Sequence, residues 1–130
     1  MLQSPLRLIK RCREYVEERR VLRVPRDLRG IYVLYRKSTR SSGKMHYDVV
    51  YVGMAAKGGM RARLKLHRRK KRGHWTHFSL FEVWDNIRDE EIRELEGLFR
   101  HIYKFDSQAS PLNAARGFKA IRAIPKLEIN

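Results

Sequence analysis

Two apolar runs joined by a polar stretch constrain the fold of this chain more than any other feature. The first run begins with Gly-Ile-Tyr at residues 30–32, and the second ends with Tyr-Val-Gly at residues 51–53. Both runs are rich in β-branched and aromatic residues, which favour strands. The residues between them, 38–45, are mostly Ser, Thr, Gly and cationic side chains, as is typical of a turn. The pattern therefore predicts an antiparallel hairpin with strands at about 30–36 and 47–52.

The segment before the hairpin predicts a helix. Ser4 and Pro5 are typical of an N-cap followed by proline at the first helical position. The apolar side chains that follow fall on one helical face: Leu8, Cys12, Tyr15 and Val16. We therefore expect a helix from Pro5 to about Val21, followed by a linker at 24–27, where a proline ends the helical pattern.

Three more elements are predicted after the hairpin. A glycine-containing turn leads into a helix from about Met60 to Arg72. A strand from about Thr76 to Trp84 is apolar on both faces, which indicates a central position in the sheet. Acidic residues from Asp89 onward suit the start of a second helix, which carries a long apolar stripe.

The expected fold is an α/β (α+β) sandwich in which helices flank a small, mainly antiparallel three-stranded sheet, preceded by the N-terminal helix. We expect residues 1–28 to form that helix and its linker, and residues 29–113 to form the central domain. Residues 114–130 are expected to be a basic extension packed on the same domain. A chain of 130 residues is long enough for one such domain with a modest core.

The charge of the chain indicates a polyanionic partner. The formal net charge is +16 and the isoelectric point is near 10.7. Such self-repulsion disfavours the compact state unless a polyanion binds, and nucleic acid is the first candidate. An anionic membrane surface fits less well, because the cations do not lie on one amphipathic helix with an aromatic face.

The single cysteine and the lack of a long apolar run bear on the compartment. Cys12 cannot form an internal disulfide, which fits a reducing compartment. No run approaches the ~20 apolar residues of a membrane span. We expect a cytoplasmic protein, with association with a nucleoid as one option, and no membrane partner.

The helix expected at 60–72 carries the first candidate site residues. At 100° per residue, Arg63 and His67 fall in the middle of its inward face, between Leu66 on one side and Met60 and Leu64 on the other. An unpaired guanidinium there would be costly, so it needs an anionic partner. That partner is a carboxylate in the structural interpretation and a bound phosphate in the functional one.

Cations at both ends of this helix can likewise be interpreted as structural or as phosphate-binding residues. Lys57, followed by two glycines at a helix start, is a weak signal for phosphate binding. The basic run at 68–72 lies where cations complement the helix dipole, and it can also contact phosphates.

Other polar residues are ambiguous when taken singly. His74 and His77 make a poor zinc site, because no cysteine is near and no third histidine is in register. A structural role is favoured for each. Glu96, at the edge of an apolar helical stripe, is more often a structural ion-pair partner than a metal ligand, and Asn113 is a good turn or N-cap residue.

Taken in order, these residues resemble the GIY-YIG nuclease family. The resemblance spans roughly residues 29–113 and includes an arginine followed four residues later by a histidine, a glutamate on a later helix and an asparagine in a loop. It implies a catalytic set of Tyr32, Tyr51, Arg63, His67 and Glu96. The expected substrate-binding set joins three residues of the resemblance with the cations noted above: Gly30, Gly53 and Asn113, with Lys57, Arg68, Arg69, Lys70, Lys71 and Arg72.

The resemblance implies a DNA endonuclease that hydrolyses phosphodiester bonds with one divalent ion, Mg²⁺ or Mn²⁺, held by Glu96. Arg63 would contact the scissile phosphate, and Tyr32 would orient the attacking water and take its proton. A phenol with a pKa near ~10 is a poor base at neutral pH, unless nearby cations or the metal lower that pKa or His67 first accepts its proton. In some relatives a histidine near position 74 or 77 assists catalysis.

Two questions stay open on the sequence. The chain could instead be a catalytically silent, basic DNA- or RNA-binding module of the same fold, and no residue distinguishes RNA from DNA. Because relatives usually take specificity from attached domains, a protein partner or a homodimer could supply it here.

The charge generates a testable prediction. If about six cations contact phosphates, the logarithm of the affinity for DNA should fall with the logarithm of salt concentration at a slope of about −5. Fluorescence anisotropy with a labelled duplex at several salt concentrations measures this slope. A flat response would contradict nucleic-acid binding through these cations.

Overall fold

The computed structural model describes residues 5–105 and 124–129, which form a small α+β fold around one four-stranded antiparallel sheet. The strand order is β1-β4-β2-β3. Short 3-10 helices, Pro5–Leu8 and Glu18–Arg23, flank the first strand. The main elements are β1 (Ile9–Glu17), β2 (Gly30–Thr39), β3 (Met45–Ala55), α1 (Gly59–Lys70), β4 (His77–Val83) and α2 (Asp89–Phe105).

The expected N-terminal helix is wrong, and the three-stranded sheet is wrong with it, because this segment forms the fourth strand. Two bulges cause the misleading pattern. Between Ile9 and Arg11, and again between Arg13 and Val16, β1 has one more residue than the facing part of β4. Each bulge shifts which residues face the core.

The buried residues of β1 therefore do not alternate. Ile9, Cys12 and Val16 are buried, at spacings of three and four residues. These are the spacings of an amphipathic helix, although the backbone is extended. Tyr15, with a φ of 56°, lies within the second bulge. The three- and four-residue spacing of apolar side chains therefore results from the two bulges and not from helical turns.

The hairpin and the central strand are confirmed. β2 pairs with β3 from Gly30 opposite Ala55 to Thr39 opposite Met45, so both strands extend further than the apolar runs. β4 lies between β1 and β2, and residues 78–83 are all buried. The apolar character of both its faces is explained by this central position.

The two faces of the sheet are covered by different helices. Residues of β2 alternate between them: Tyr32 and Leu34 face the side of α1, whereas Ile31 and Val33 face the side of α2. On the α1 side the core includes Met60, Leu64, Phe78 and Leu80, and on the α2 side it includes Phe81, Ile92, Leu95 and Phe99. A side chain from one helix can meet one from the other only around an edge of the sheet.

The last described residues lie along the outer edge of β1. The amide of Leu127 donates to the carbonyl of Cys12 (2.8 Å), and the amide of Cys12 donates to the carbonyl of Pro125 (3.1 Å). Leu127 and Ile129 are buried in the core on the α1 side. Residues 106–123, which include Asn113 and most of the expected C-terminal extension, lie outside the described residues.

Neither of the two main helices crosses a membrane in this fold. Across residues 5–105 and 124–129, no helix is long and apolar enough to span a bilayer.

Gly30 is the glycine on which strand packing depends most directly. Its φ is +155°, and a Cβ placed there would lie 2.0 Å from the carbonyl oxygen of Phe81 in β4. We predict that Gly30→Ala lowers the free energy of unfolding by at least about 2 kcal/mol, because a backbone atom of a central strand cannot move aside cheaply. Urea denaturation measures the loss.

Gly97→Ala is the matched control for this substitution. A Cβ at Gly97, on α2, meets nothing within 4 Å. The control should raise the free energy of unfolding by up to about 1 kcal/mol, since alanine favours a helix more than glycine does. Equal effects of the two substitutions would contradict the packing argument.

Candidate functional site

A hydrogen bond between Tyr32 and His67 lies at the centre of the candidate site. Tyr32, on β2, is 1% exposed, and its hydroxyl oxygen lies 2.8 Å from Nε2 of His67 on α1. Burial lowers the pKa of His67, and the positive charges of Lys71 and Arg63 lower it further. At neutral pH the imidazole is therefore uncharged, and in the tautomer that carries its proton on Nδ1 its Nε2 accepts the hydroxyl proton of Tyr32.

Gly53 makes room for the two tyrosines of the site. It is the register partner of Tyr32. A Cβ at Gly53 would lie 2.5 Å from both Cζ and Oη of Tyr32, and 2.7 Å from Cε2 of Tyr51. The glycine that ends the Tyr-Val-Gly run is therefore needed because the ring of Tyr32 crosses the strand at that point.

Tyr51 completes an aromatic group around His67. Its ring centroid lies 4.7 Å from that of His67 and 6.0 Å from that of Tyr32. On its other side, Nζ of Lys71 lies 4.4 Å from the centroid of the Tyr51 ring, which is a cation–π contact. The half-buried Tyr51 thus lies between the histidine and an exposed lysine of the basic run.

The environment of Tyr32 disfavours a phenolate. Burial raises the pKa of its hydroxyl well above the ordinary value of 10.0, and Tyr51 raises it further. The charge of Arg63 acts in the opposite direction, and the negative charge of Glu96 adds a smaller increase. Tyr32 is therefore a neutral hydroxyl, and it can act on a water only if its proton passes to His67.

Arg63 is not on the buried face of α1, contrary to the expectation from helical projection. The buried residues of this helix are Gly59, Met60 and Leu64, and Arg63 is exposed. Among the described residues no carboxylate forms an ion pair with it. A buried guanidinium in need of a partner is therefore not the reason for its position. Its charge still acts on both Tyr32 and His67, so it lies at the rim of the site.

Glu96 is connected to the outer strand β3 through its ion-pair partner Arg100. Its side chain is only 13% exposed, and Oε1 lies 2.8 Å from Nη2 of Arg100, one helical turn later. The same nitrogen of Arg100 donates to the carbonyl of Val52 (3.2 Å), next to Gly53. Although α2 packs on the opposite face from Tyr32, the edge strand thus brings this carboxylate close enough to affect the tyrosine.

The chemistry of Glu96 fits a hard divalent cation bound mainly by water. Within residues 5–105 and 124–129 there is no group of three or more His, Cys, Asp or Glu side chains that could form a full ligand set. Mg²⁺ keeps several waters and commonly uses one or two carboxylates, so one glutamate suits it better than it suits zinc. A second carboxylate oxygen of Glu96 remains beside the one held by Arg100.

The remaining predicted site residues are dispersed. Arg68 forms an ion pair with Glu18 (2.7 Å) on the flank of α1 that faces the second 3-10 helix. His77 packs against the ring of Tyr47 at 5.1 Å, on the α2 side of the sheet, away from Tyr32. Gly30 contacts β4 backbone. The exposed members are Lys57, Arg69, Lys70, Arg72 and His74.

Arg100 is the residue that sequence reasoning missed. The spacing of Glu96 and Arg100 is the i,i+4 arrangement in which a glutamate and a later cation pair on a helix. That signal was present in the sequence, but the contact with β3 depends on how α2 packs against the sheet.

The chain matches no protein-family model, and no curated protein or solved structure is significantly similar to it. The resemblance to GIY-YIG nucleases therefore rests on the motif residues of this chain and on their order along the sequence.

The surroundings of His67 predict a lowered pKa for its imidazole. NMR titration should give a pKa for His67 below its ordinary value of 6.5, because burial and three nearby cations disfavour the imidazolium. Since the folded-state pKa is the lower one, His67 should stabilise the fold above about pH 6.5 and lose that contribution as the pH falls. His67→Gln should then weaken the loss of stability between about pH 7 and pH 5. A midpoint at or above 6.5 would contradict this environment.

Proposed function

We propose that this protein is a divalent-metal-dependent DNA endonuclease of the GIY-YIG type. The observation that supports it most is the hydrogen-bonded tyrosine–histidine pair beside Gly53. Arg100, the ion-pair partner of the mostly buried Glu96, contacts the carbonyl of the neighbouring Val52. An exposed arginine, Arg63, stands at the rim of the same site, where a phosphate can reach it.

Tyr32 and His67 supply a route for a proton. In this proposal the Tyr32 hydroxyl accepts a hydrogen bond from the attacking water. As the water oxygen bonds to phosphorus, the bond from phosphorus to the leaving oxygen breaks, and that oxygen departs and takes a proton from solvent. The proton of the attacking water passes to the Tyr32 oxygen, and the tyrosine's own proton passes to Nε2 of His67. The raised pKa of Tyr32 is then no obstacle, because a free phenolate is never formed.

The charged residues act on the phosphate. Arg63 can donate two hydrogen bonds to the non-bridging oxygens, where negative charge grows as the water attacks. Lys71 lies over Tyr51 and is exposed, so it can add a second positive charge at the same rim. A divalent ion at Glu96 would supply charge neutralisation for the phosphoryl group and its leaving oxygen.

DNA as the substrate comes from the family resemblance, and RNA is the alternative polyanion. The formal charge of +16 suits either. We propose that a protein partner or a homodimer supplies the specificity for DNA sequence or structure.

One observation favours a second candidate, a silent nucleic-acid-binding module of the same fold. The carboxylate of Glu96 already has a cationic partner in Arg100, as it would in a purely structural ion pair. Cleavage assays on site variants separate this module from an enzyme.

The test is cleavage of supercoiled, branched and single-stranded DNA with Mg²⁺ or Mn²⁺ against chelator. Tyr32→Phe, Arg63→Ala and Glu96→Gln should each reduce the cleavage rate by about a hundredfold or more, because each removes a group that the proposed reaction uses directly. DNA binding by anisotropy should change little for Tyr32→Phe and Glu96→Gln.

Two control variants match these substitutions. Tyr35→Phe removes a different buried hydroxyl of β2, which bonds to Tyr103 on the opposite face. Lys65→Ala removes an exposed cation from the same helix as Arg63, at a position outside the substrate-binding set. Both should retain cleavage. If the wild type binds but cuts none of these substrates with either metal, the silent module becomes the better interpretation.

A further inference from the structure

Arg100 occupies the carboxylate of Glu96, where the proposed function needs a divalent metal ion. Its Nη2 lies 2.8 Å from Oε1 of Glu96 and 3.2 Å from the carbonyl of Val52. One guanidinium therefore bridges the carboxylate of α2 and the backbone of edge strand β3. The side chain of Glu96 is 13% exposed, whereas that of Arg100 is 57% exposed.

We propose that Arg100 is a counter-ion that competes with the divalent metal for Glu96, so that metal binding requires the guanidinium to leave the carboxylate. This inference rests on the proposed function, since it takes Glu96 as the metal ligand. Arg100 would then set how much Mg²⁺ or Mn²⁺ the protein needs.

The difference in burial indicates which partner moves. Glu96 packs at the edge of the sheet and keeps its place, while the exposed guanidinium can turn into water and be hydrated there. The hydrogen bond to the carbonyl of Val52 is only partly buried and lies on the outer strand β3, so we expect a water to replace the guanidinium there.

The main rival is that Arg100 positions Glu96 for the metal. A positioning role would require Arg100 and the metal to use the carboxylate together, one on each oxygen. The net charge argues against this arrangement, because a guanidinium 2.8 Å from Oε1 leaves little of the single negative charge to attract a second cation. With no further carboxylate clustered at this edge among the described residues, that charge is not replaced.

The experiment measures metal binding without DNA and without turnover. Mn²⁺ is titrated into ¹⁵N-labelled full-length protein, and paramagnetic broadening of amide signals of residues 92–99 and of Gly53 reports binding at this edge. Wild type is compared with Arg100→Gln, with Arg100→Met, which keeps the apolar stem, and with Glu96→Gln. Thermal melts establish that each variant is folded.

Arg93→Gln is the matched charge control. Arg93 lies on α2, three residues before Glu96, is exposed and forms no ion pair among the described residues. Its substitution changes the net charge by the same amount without touching the carboxylate. Because Arg93 is exposed and does not contact the carboxylate, water and salt weaken its interaction with Glu96 far more than that of Arg100 at 2.8 Å.

We expect both Arg100 variants to bind Mn²⁺ about two- to fivefold more tightly than wild type, the range expected for removal of a partly exposed ion pair. Arg93→Gln should bind like wild type, and Glu96→Gln should lose the local broadening. Unchanged or weaker binding in the Arg100 variants, an equal gain in Arg93→Gln, or broadening that survives Glu96→Gln would overturn the proposal.

Cleavage assays on the same proteins keep the two proposals apart. If wild type cuts DNA and Glu96→Gln does not, the nuclease stands even when Arg100 proves not to compete. If neither the wild type nor any variant cuts DNA, the proposal of a nuclease fails, whatever the Mn²⁺ titrations show about Arg100.

Discussion

The burial of β4 on both faces is the constraint on which this small fold depends. A central strand with no polar face must be covered from both sides, so one helix cannot complete the core. The α1 side buries Phe78 and Leu80, and the α2 side buries Phe81 and Val83. β1 and β2 satisfy its backbone on either side, which leaves β3 as the outer strand next to β2.

That arrangement decides where a site can form. Because the sheet separates the two helices, their side chains can converge only where the sheet ends. At the β3 edge, Tyr32 crosses Gly53 from one side, and Glu96 approaches from the other, next to Val52. The side chain missing at Gly53 is what allows the tyrosine to come this far, so the glycine belongs as much to the site as the residues with functional groups.

The electrostatics of the site follow from its partial burial. Burial raises the pKa of Tyr32 in spite of the opposing charge of Arg63, whereas burial and the nearby cations together lower the pKa of His67, so both groups stay neutral. A neutral hydroxyl next to a neutral imidazole can relay a proton without forming a phenolate. The exposed cations, such as Arg63 and Lys71, surround this neutral centre and remain accessible to a polyanion.

The sequence by itself determined the hairpin, the central strand and both main helices, because each follows from local pattern: alternating apolar residues or an amphipathic stripe. Tertiary structure decided the rest. Bulges in β1 gave a strand the spacing of a helix, the packing of α1 left Arg63 exposed, and the docking of α2 against β3 placed Arg100 on Glu96. In each case the outcome depends on a partner distant in the chain, which local periodicity cannot encode.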